Sequence, residues 1–195
     1  MISLIDGAGV FIWPLGICSF LGVFILVERL IALAPKRVIP KKMINSIIEG
    51  TIPERGDASV GGRIVQYYLE KRPDAEQLKA FARLEINRME RGLFILEIVV
   101  SAAPLIGLLG TVTGLVKVFA NVSPDSGMPD PGAFIEGIAL ALTTTMLGLS
   151  IAIPALVGNH FLIRRVDILA AQLDVCVERL IDIAAVGKTR PESKD

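Results

Sequence analysis

The sequence predicts an all-α integral membrane protein with three transmembrane helices, N-terminus outside and C-terminus inside. Long cytoplasmic helical extensions of the second and third spans complete the prediction. Three observations carry it. The 195-residue chain is 52% hydrophobic and yet 21% charged, and the two properties are segregated along it. Residues 7–27, 98–116 and 137–159 form apolar stretches of span length, which takes about 20 residues of helix. Lys and Arg gather on alternate sides of those stretches, as they do where loops stay in the cytoplasm.

Residues 1–28 are assigned to the first transmembrane helix. The opening residues, Met1 to Asp6, hold no basic group, so the stretch does not have the pattern of a cleavable signal peptide and is read as a retained helix. Pro14 falls near its start, where a missing N–H is tolerated. Arg29, Lys36, Arg37, Lys41 and Lys42 follow the stretch and place residues 29–91 inside. Within them, 35–62 is broken by Pro35, Pro40, Pro53, Gly56 and the pair Gly61-Gly62, which predicts loop with short helices. Met43, Ile44, Ile47 and Ile48 share one side of a short helix with a basic end. That helix could rest on the membrane or pack on its own protein.

From Asp74 the pattern is helical. Leu78, Ala82, Ile86, Met89, Leu93 and Leu96 recur at steps of three and four, and no proline intervenes before Pro104. One continuous helix is expected to run from the cytoplasmic side into the second span, residues 92–120. Residues 121–132 form a short periplasmic loop with Asp125 and Asp130 and no basic group. Residues 133–163 form the third span, and 164–195 a C-terminal cytoplasmic helix and tail. The tail carries a seam of Val166, Leu169, Leu173, Cys176, Leu180 and Ile183, and after Gly187 it is short and charged. Formal net charge is zero, which gives no electrostatic footprint for nucleic acid. Cys18 and Cys176 read as two apolar thiols rather than a bonded pair. A lone His160 makes no metal cluster, and no cofactor is expected.

The apolar stretches 98–116 and 137–159 of the second and third spans contain no Lys, Arg, Asp or Glu, yet they carry hydroxyls. Polar side chains in a bilayer turn toward protein or water. In the second span Pro104, Gly107, Gly110 and Gly114 give a small, bendable backbone, with the GxxxG spacing that brings helices close in lipid. Glu97, Ser101, Pro104 and Thr111 lie near one line of the helix. In the third span Thr145 shares a stripe with Ala141, Gly148 and Ala152. Thr143 lies nearly opposite, in line with Glu136 and Ser150, and Thr144 sits between. Pro154 is expected to kink or strain this helix. Such helices suit a hydrated, mobile pathway. Hydroxyls relay protons but do not titrate near neutral pH. A chain that coupled a proton gradient to work would therefore draw its mid-membrane acid from a partner.

The run Ala103-Pro104-Leu105-Ile106-Gly107-Leu108-Leu109-Gly110-Thr111-Val112-Thr113-Gly114 is followed by Gly137-Ile138-Ala139-Leu140-Ala141-Leu142-Thr143-Thr144-Thr145-Met146-Leu147-Gly148-Leu149 and Ala152-Ile153-Pro154-Ala155. Together they closely resemble the MotA/TolQ/ExbB proton-channel family, most nearly its ExbB and TolQ branches, over about residues 76–165. The resemblance implies a multi-pass protein of the bacterial inner membrane that forms a homopentamer around a pore. It implies an ExbD- or TolR-like single-span partner that supplies the protonatable Asp, and a TonB- or TolA-like periplasmic energy transducer. It implies a non-enzymatic proton-channel subunit with pore residues at Thr111 and Thr145, flanked by Ser101, Thr143 and Thr144. Glu97 and Glu136 become candidate gating or pathway acids. Pro104, Gly107, Gly110, Gly114, Gly148 and Pro154 become packing positions. The chain departs from close relatives at Leu140, where they place a Glu; Glu136, one turn earlier, is the candidate substitute. The extra span and large cytoplasmic domain of flagellar stators have no counterpart. A non-conducting scaffold that holds a single-span partner is the alternative. A Ser150–His160 enzyme is disfavoured, because ten helical residues separate the pair by about 15 Å of rise.

Overall fold

Every regular element among the described residues is helical, for the reason the sequence gives: apolar residues recur at helical spacing, and where charge is absent only intra-segment hydrogen bonds satisfy the backbone. The computed structural model describes residues 9–53, 55–120 and 131–189. The first residues of the chain, the core of the expected periplasmic loop and the end of the charged tail lie outside them. A 3-10 turn at Gly9–Phe11 leads into α1 (Ile12–Ala32). Then come α2 (Pro35–Val38), α3 (Lys41–Ile48), α4 (Val60–Lys71), α5 (Ala75–Glu90), α6 (Leu93–Ala120) and α7 (Pro131–Thr189). Stretches within Gly9–Ala32, Ala75–Ala120 and Phe134–Ala185 are long and apolar enough to cross a membrane, three among the described residues. α1 outruns its apolar stretch and takes in Glu28 and Arg29, because charge marks the edge of hydrocarbon and not the end of a helix. α7 passes through both Pro154 and Gly187 without interruption.

Two expectations are corrected. The helix from Asp74 does not run unbroken into the second span. α5 ends at Glu90, and Gly92 takes φ +91°, a left-handed conformation that a glycine adopts without strain. α6 starts afresh from there, with Ile95 and Leu96 donating to the Gly92 carbonyl. Nor do Gly61 and Gly62 break structure. They lie in the first turn of α4, capped by the Ser59 side chain accepting from the Gly62 N–H at 2.9 Å. A Cβ on Gly61 would stand 3.1 Å from Met43 Sδ and 3.2 Å from Ile39 Cγ1. These glycines are there for close packing.

The chain divides into two compact units, formed by the described residues of Met1–Glu28 with Gly92–His160 and of Arg29–Arg91 with Phe161–Asp195. In the first, Leu15 of α1 packs against Ala103 of α6 and Ala152 of α7. Val99 of α6 meets Gly22 of α1, and Leu26 of α1 meets Gly158 of α7. The outer face of α1 presents Trp13, Phe20 and Phe24, each more than half exposed. So broad an apolar surface suits lipid and not water.

In the second unit most of the expected stripes are buried: Leu78, Ala82 and Met89 on α5, and Val166, Leu169, Leu173, Cys176 and Leu180 on α7, while Ile86 and Ile183 are half-buried. α5 opens with a capping box in which Asp74 and Gln77 exchange hydrogen bonds. Tyr67 of α4 stacks on Phe81 of α5 with ring centroids 4.2 Å apart. On α3, Met43 and Ile47 are buried, Ile44 is half-buried and Ile48 is exposed. The helix thus packs on its own protein along one edge. Both cysteines are free, and burial pushes the Cys176 thiol above its ordinary range.

Glu85 was not singled out by periodicity, yet its side chain is 0% exposed. Its Oε2 accepts from Arg63 Nε at 2.9 Å and Nη2 at 2.5 Å, and its Oε1 from Arg88 Nη1 at 2.5 Å. Losing one guanidinium strands a buried carboxylate oxygen. Arg63→Met is expected to lower stability by about 1–3 kcal/mol. Arg179→Met, which removes an exposed partner 3.9 Å from Asp182, should cost under about 0.5 kcal/mol. Thermal unfolding of the two variants in the same detergent checks the difference.

The α6–α7 contact makes a second prediction. A Cβ on Gly148 would stand 2.6 Å from the Ala103 carbonyl oxygen, a backbone atom that cannot turn aside. Gly148→Ala should therefore destabilise by about 1–3 kcal/mol. Gly16→Ala, with nothing within 4 Å, should leave the unfolding midpoint unchanged or slightly raised.

Candidate functional site

The two hydroxyl-bearing helices meet along their small residues. The buried face of α6 runs Leu96, Val99, Ala103, Gly107, Gly110, Gly114 and Val118. The facing stripe of α7 runs Gly137, Ala141, Thr144, Gly148 and Ala152, all buried. The pairing is antiparallel. Gly148 lies on the Ala103 carbonyl, Gly107 on Thr144, Thr145 and Gly148, Gly110 on the Thr144 side chain, and Gly114 on Gly137 and Ala141. With no Cβ on α6, the backbones approach closely enough for a hydroxyl of one helix to reach a carbonyl of the other. Thr145 Oγ1 donates to the Gly107 carbonyl at 3.4 Å.

Four other hydroxyls turn back on their own helices. Ser101 Oγ donates to the Glu97 carbonyl at 2.6 Å, Thr111 Oγ1 to Leu108 at 2.7 Å and Thr113 Oγ1 to Leu109 at 2.9 Å. Thr144 Oγ1 is shared between the carbonyls of Leu140 at 2.8 Å and Ala141 at 3.2 Å. Each donor is thereby satisfied, and on Ser101, Thr111 and Thr113, which are not fully buried, the oxygen lone pairs stay open to a further donor.

Burial separates these residues. Thr144 is fully enclosed between α6 and α7. Thr111, Thr143 and Thr145 are half-buried, Pro104 is half-buried, and Ser101, Glu97 and Glu136 are exposed. Thr145 and Thr111 therefore stand at the margin of the helix pair, with Thr145 against Gly107. Glu136 does not share the surroundings of Leu140, which is buried one turn later. Pro154 is exposed on α7. Beside it lies a cavity of about 140 Å³ lined by Ser19, Gly22, Ser150 and Ala155, so Ser150 faces α1 rather than joining the threonines. His160 Nδ1 lies 3.0 Å from the Leu156 carbonyl.

Two features were not visible in the pattern. The packing role of Thr144 is one; the signal for it is its position, seven residues after Gly137 and four before Gly148, on the small-residue stripe. Asn159 is the other. It is 5% exposed and its Oδ1 has no hydrogen-bond partner. An amide closing an otherwise apolar span is the signal that could have marked it.

Residues 57–175 match the family described as the MotA/TolQ/ExbB proton channel family. The biopolymer transport protein exbB1 of Vibrio cholerae serotype O1 is 30% identical, over 85% of this chain and 80% of its own. The biopolymer transport protein ExbB of Aquifex aeolicus is 34% identical, over 65% of this chain and 84% of its own. That of Helicobacter pylori is 36% identical over 50% and 68%. The match takes in α4 to α6 and most of α7, the elements that carry the glycine and threonine stripes, and this chain belongs to the MotA/TolQ/ExbB proton channel family.

Proposed function

We propose that the chain is the proton-channel subunit of an inner-membrane motor of the ExbB–ExbD or TolQ–TolR type. It uses the proton motive force to energise transport or envelope processes. One observation carries the reading. α6 and α7 are locked face to face by glycines, and this leaves Thr111 and Thr145 half-buried at the margin of the pair, within the stretches 98–116 and 137–159 that hold no Lys, Arg, Asp or Glu. Membership of a proton channel family and relatives named for biopolymer transport support it. The partner is an ExbD- or TolR-like single-span protein that brings a protonatable Asp, and a TonB- or TolA-like periplasmic protein receives the motion. Copies of the chain, five on this reading, surround the partner. The distribution of Lys and Arg supports an outer N-terminus, an inner segment over 29–91 and an inner C-terminus.

A second reading, a non-conducting scaffold, is favoured by the hydroxyl geometry: Ser101, Thr111, Thr113 and Thr144 all donate to their own helix. One experiment separates the two. The chain is co-expressed with its single-span partner, reconstituted in liposomes, and proton flux is followed under an imposed gradient. For a channel, Thr111→Val and Thr145→Val each lower flux at least about tenfold, the effect of ~1.4 kcal/mol of added barrier. The oligomer and the partner still co-purify. A scaffold leaves flux in both variants equal to that of the wild type. Glu97 is exposed at the end of its span, and Glu97→Gln is expected to leave flux unchanged in the same assay.

A further inference from the structure

We propose that a cavity in the second unit binds the phosphate headgroup of an anionic phospholipid. The cavity has a volume of about 480 Å³. Lys41, Arg164 and Arg165 line it, and no carboxylate does. Its walls are apolar, with Ile44 from α3 and Phe161 and Ile168 from α7. Phe161 and Ile168 are each more than half exposed. The Arg165 guanidinium carbon sits 5.9 Å over the Phe161 ring, which holds the charge at the edge of the apolar wall.

Its place along the chain is that of a membrane surface. Phe161 comes two residues after the uncharged stretch 137–159, and α3 follows shortly after the end of α1. α3 buries Met43 and Ile47 and keeps Lys41, Lys42 and Ile48 exposed. Charged and apolar groups side by side are what an interfacial helix presents to headgroups and acyl chains. The packing of Met43 and Ile47 thus explains only half of this helix's amphipathic pattern. The other half is left facing outward beside the cavity.

The chemistry selects the occupant. A free phosphate would satisfy the three bases and leave the apolar wall wet. A zwitterionic lipid would bring its own cation against them. An anionic phospholipid matches both, with phosphate on the bases and the first acyl segment on Ile44, Phe161 and Ile168. Each base near an anionic surface is worth about fivefold in binding. A larger cavity beside Glu85, about 640 Å³, is lined by Asp57 and Glu85 as well as by bases, and it lacks this one-signed character.

The proposal rests on the chain spanning a bilayer and not on proton conduction, so the two readings fail separately. The test uses the purified full chain in nanodiscs of mixed phosphatidylcholine and phosphatidylglycerol. Retained lipid is measured by mass spectrometry after extraction into detergent. Wild type is expected to hold phosphatidylglycerol over phosphatidylcholine by about tenfold or more. Lys41→Gln/Arg164→Gln/Arg165→Gln should lose the preference, while Lys71→Gln/Lys79→Gln/Arg179→Gln, with the same loss of charge away from the cavity and from α3, should keep it. No preference in the wild type, or equal loss in both variants, overturns the proposal. So does displacement of the lipid by millimolar inorganic phosphate alone, which would mark a free-anion site. A photoactivatable phosphatidylglycerol on the wild-type chain keeps the test open if the triple variant does not fold. Labelled peptides are expected to contain residues from 35–44 or 161–172. Labelling only elsewhere, as when a second copy of the chain covers the cavity, overturns it.

Discussion

The close approach of the α6 and α7 backbones is the constraint on which the first unit depends. In a bilayer, lipid chains are as apolar as leucine, so burying leucine gives no drive for two helices to associate. What holds them is dispersion across a short distance and hydrogen bonds the short distance permits. Gly107, Gly110 and Gly114 supply that distance on one side, and Gly137 and Gly148 on the other. The cost is helix propensity, about 1 kcal/mol per glycine relative to alanine in water. Everything specific about the threonines follows from it. Thr144 presents its Cβ and methyl to Gly110 and returns its hydroxyl to the preceding turn. Thr145, one position on, is rotated to the margin and reaches across to the Gly107 carbonyl instead.

The prolines act on the same interface. A proline donates no hydrogen bond to the carbonyl four residues earlier, which in α6 is Val100 and in α7 is Ser150. Both helices nevertheless continue through. Pro104 adjoins Ala103, whose carbonyl lies under Gly148. The carbonyls that lose a proline donor therefore lie within about one turn of the Ala103–Gly148 contact, on helices whose glycines already lower the resistance to bending. In the second unit the opposite strategy holds. Glu85 is fixed by two arginines with no oxygen left over, an arrangement that resists rearrangement because either loss leaves buried charge.

Much of this was legible in the sequence because it obeys a period. The three apolar stretches, the stripe through Leu78, Ala82 and Met89 and the seam from Val166 to Leu180 all appear where spacing put them. What escaped was whatever depends on a specific neighbour. Gly92 reads as one more residue in a helical pattern until its φ of +91° breaks the helix. Gly61 and Gly62 read as breakers, because the sequence does not display Met43 and Ile39 lying against them. Glu85 belongs to the stripe by register, one residue before Ile86, but its charge assigns it to the solvent face. Its burial rests on Arg63 arriving from α4 as well as on Arg88 of its own helix. The hydroxyls of the spans were visible as a group. Their separation into a packing threonine and a marginal one was not, since it turns on which residue of a consecutive run faces a glycine.

That separation bears on how a hydroxyl-lined path could respond to a gradient. A hydroxyl takes part in proton relay only if its O–H can turn. Thr144, enclosed and shared between two carbonyls, is held in place. Thr145 is held by a single contact of 3.4 Å, at the long end for such a bond and worth at most about 0.5–1.5 kcal/mol. A proton crossing the membrane releases roughly 2.3 kcal/mol per 100 mV, more than enough to break that contact and turn the hydroxyl. On the proposed function, then, the glycine stripe both locks the two helices together and leaves one threonine loosely tied beside a carbonyl. Because neither uncharged stretch, 98–116 or 137–159, carries an acid, the turning hydroxyl would answer to a charge brought by another polypeptide. The rigid part of the interface would keep that hydroxyl in position while the partner's acid gains and loses its proton.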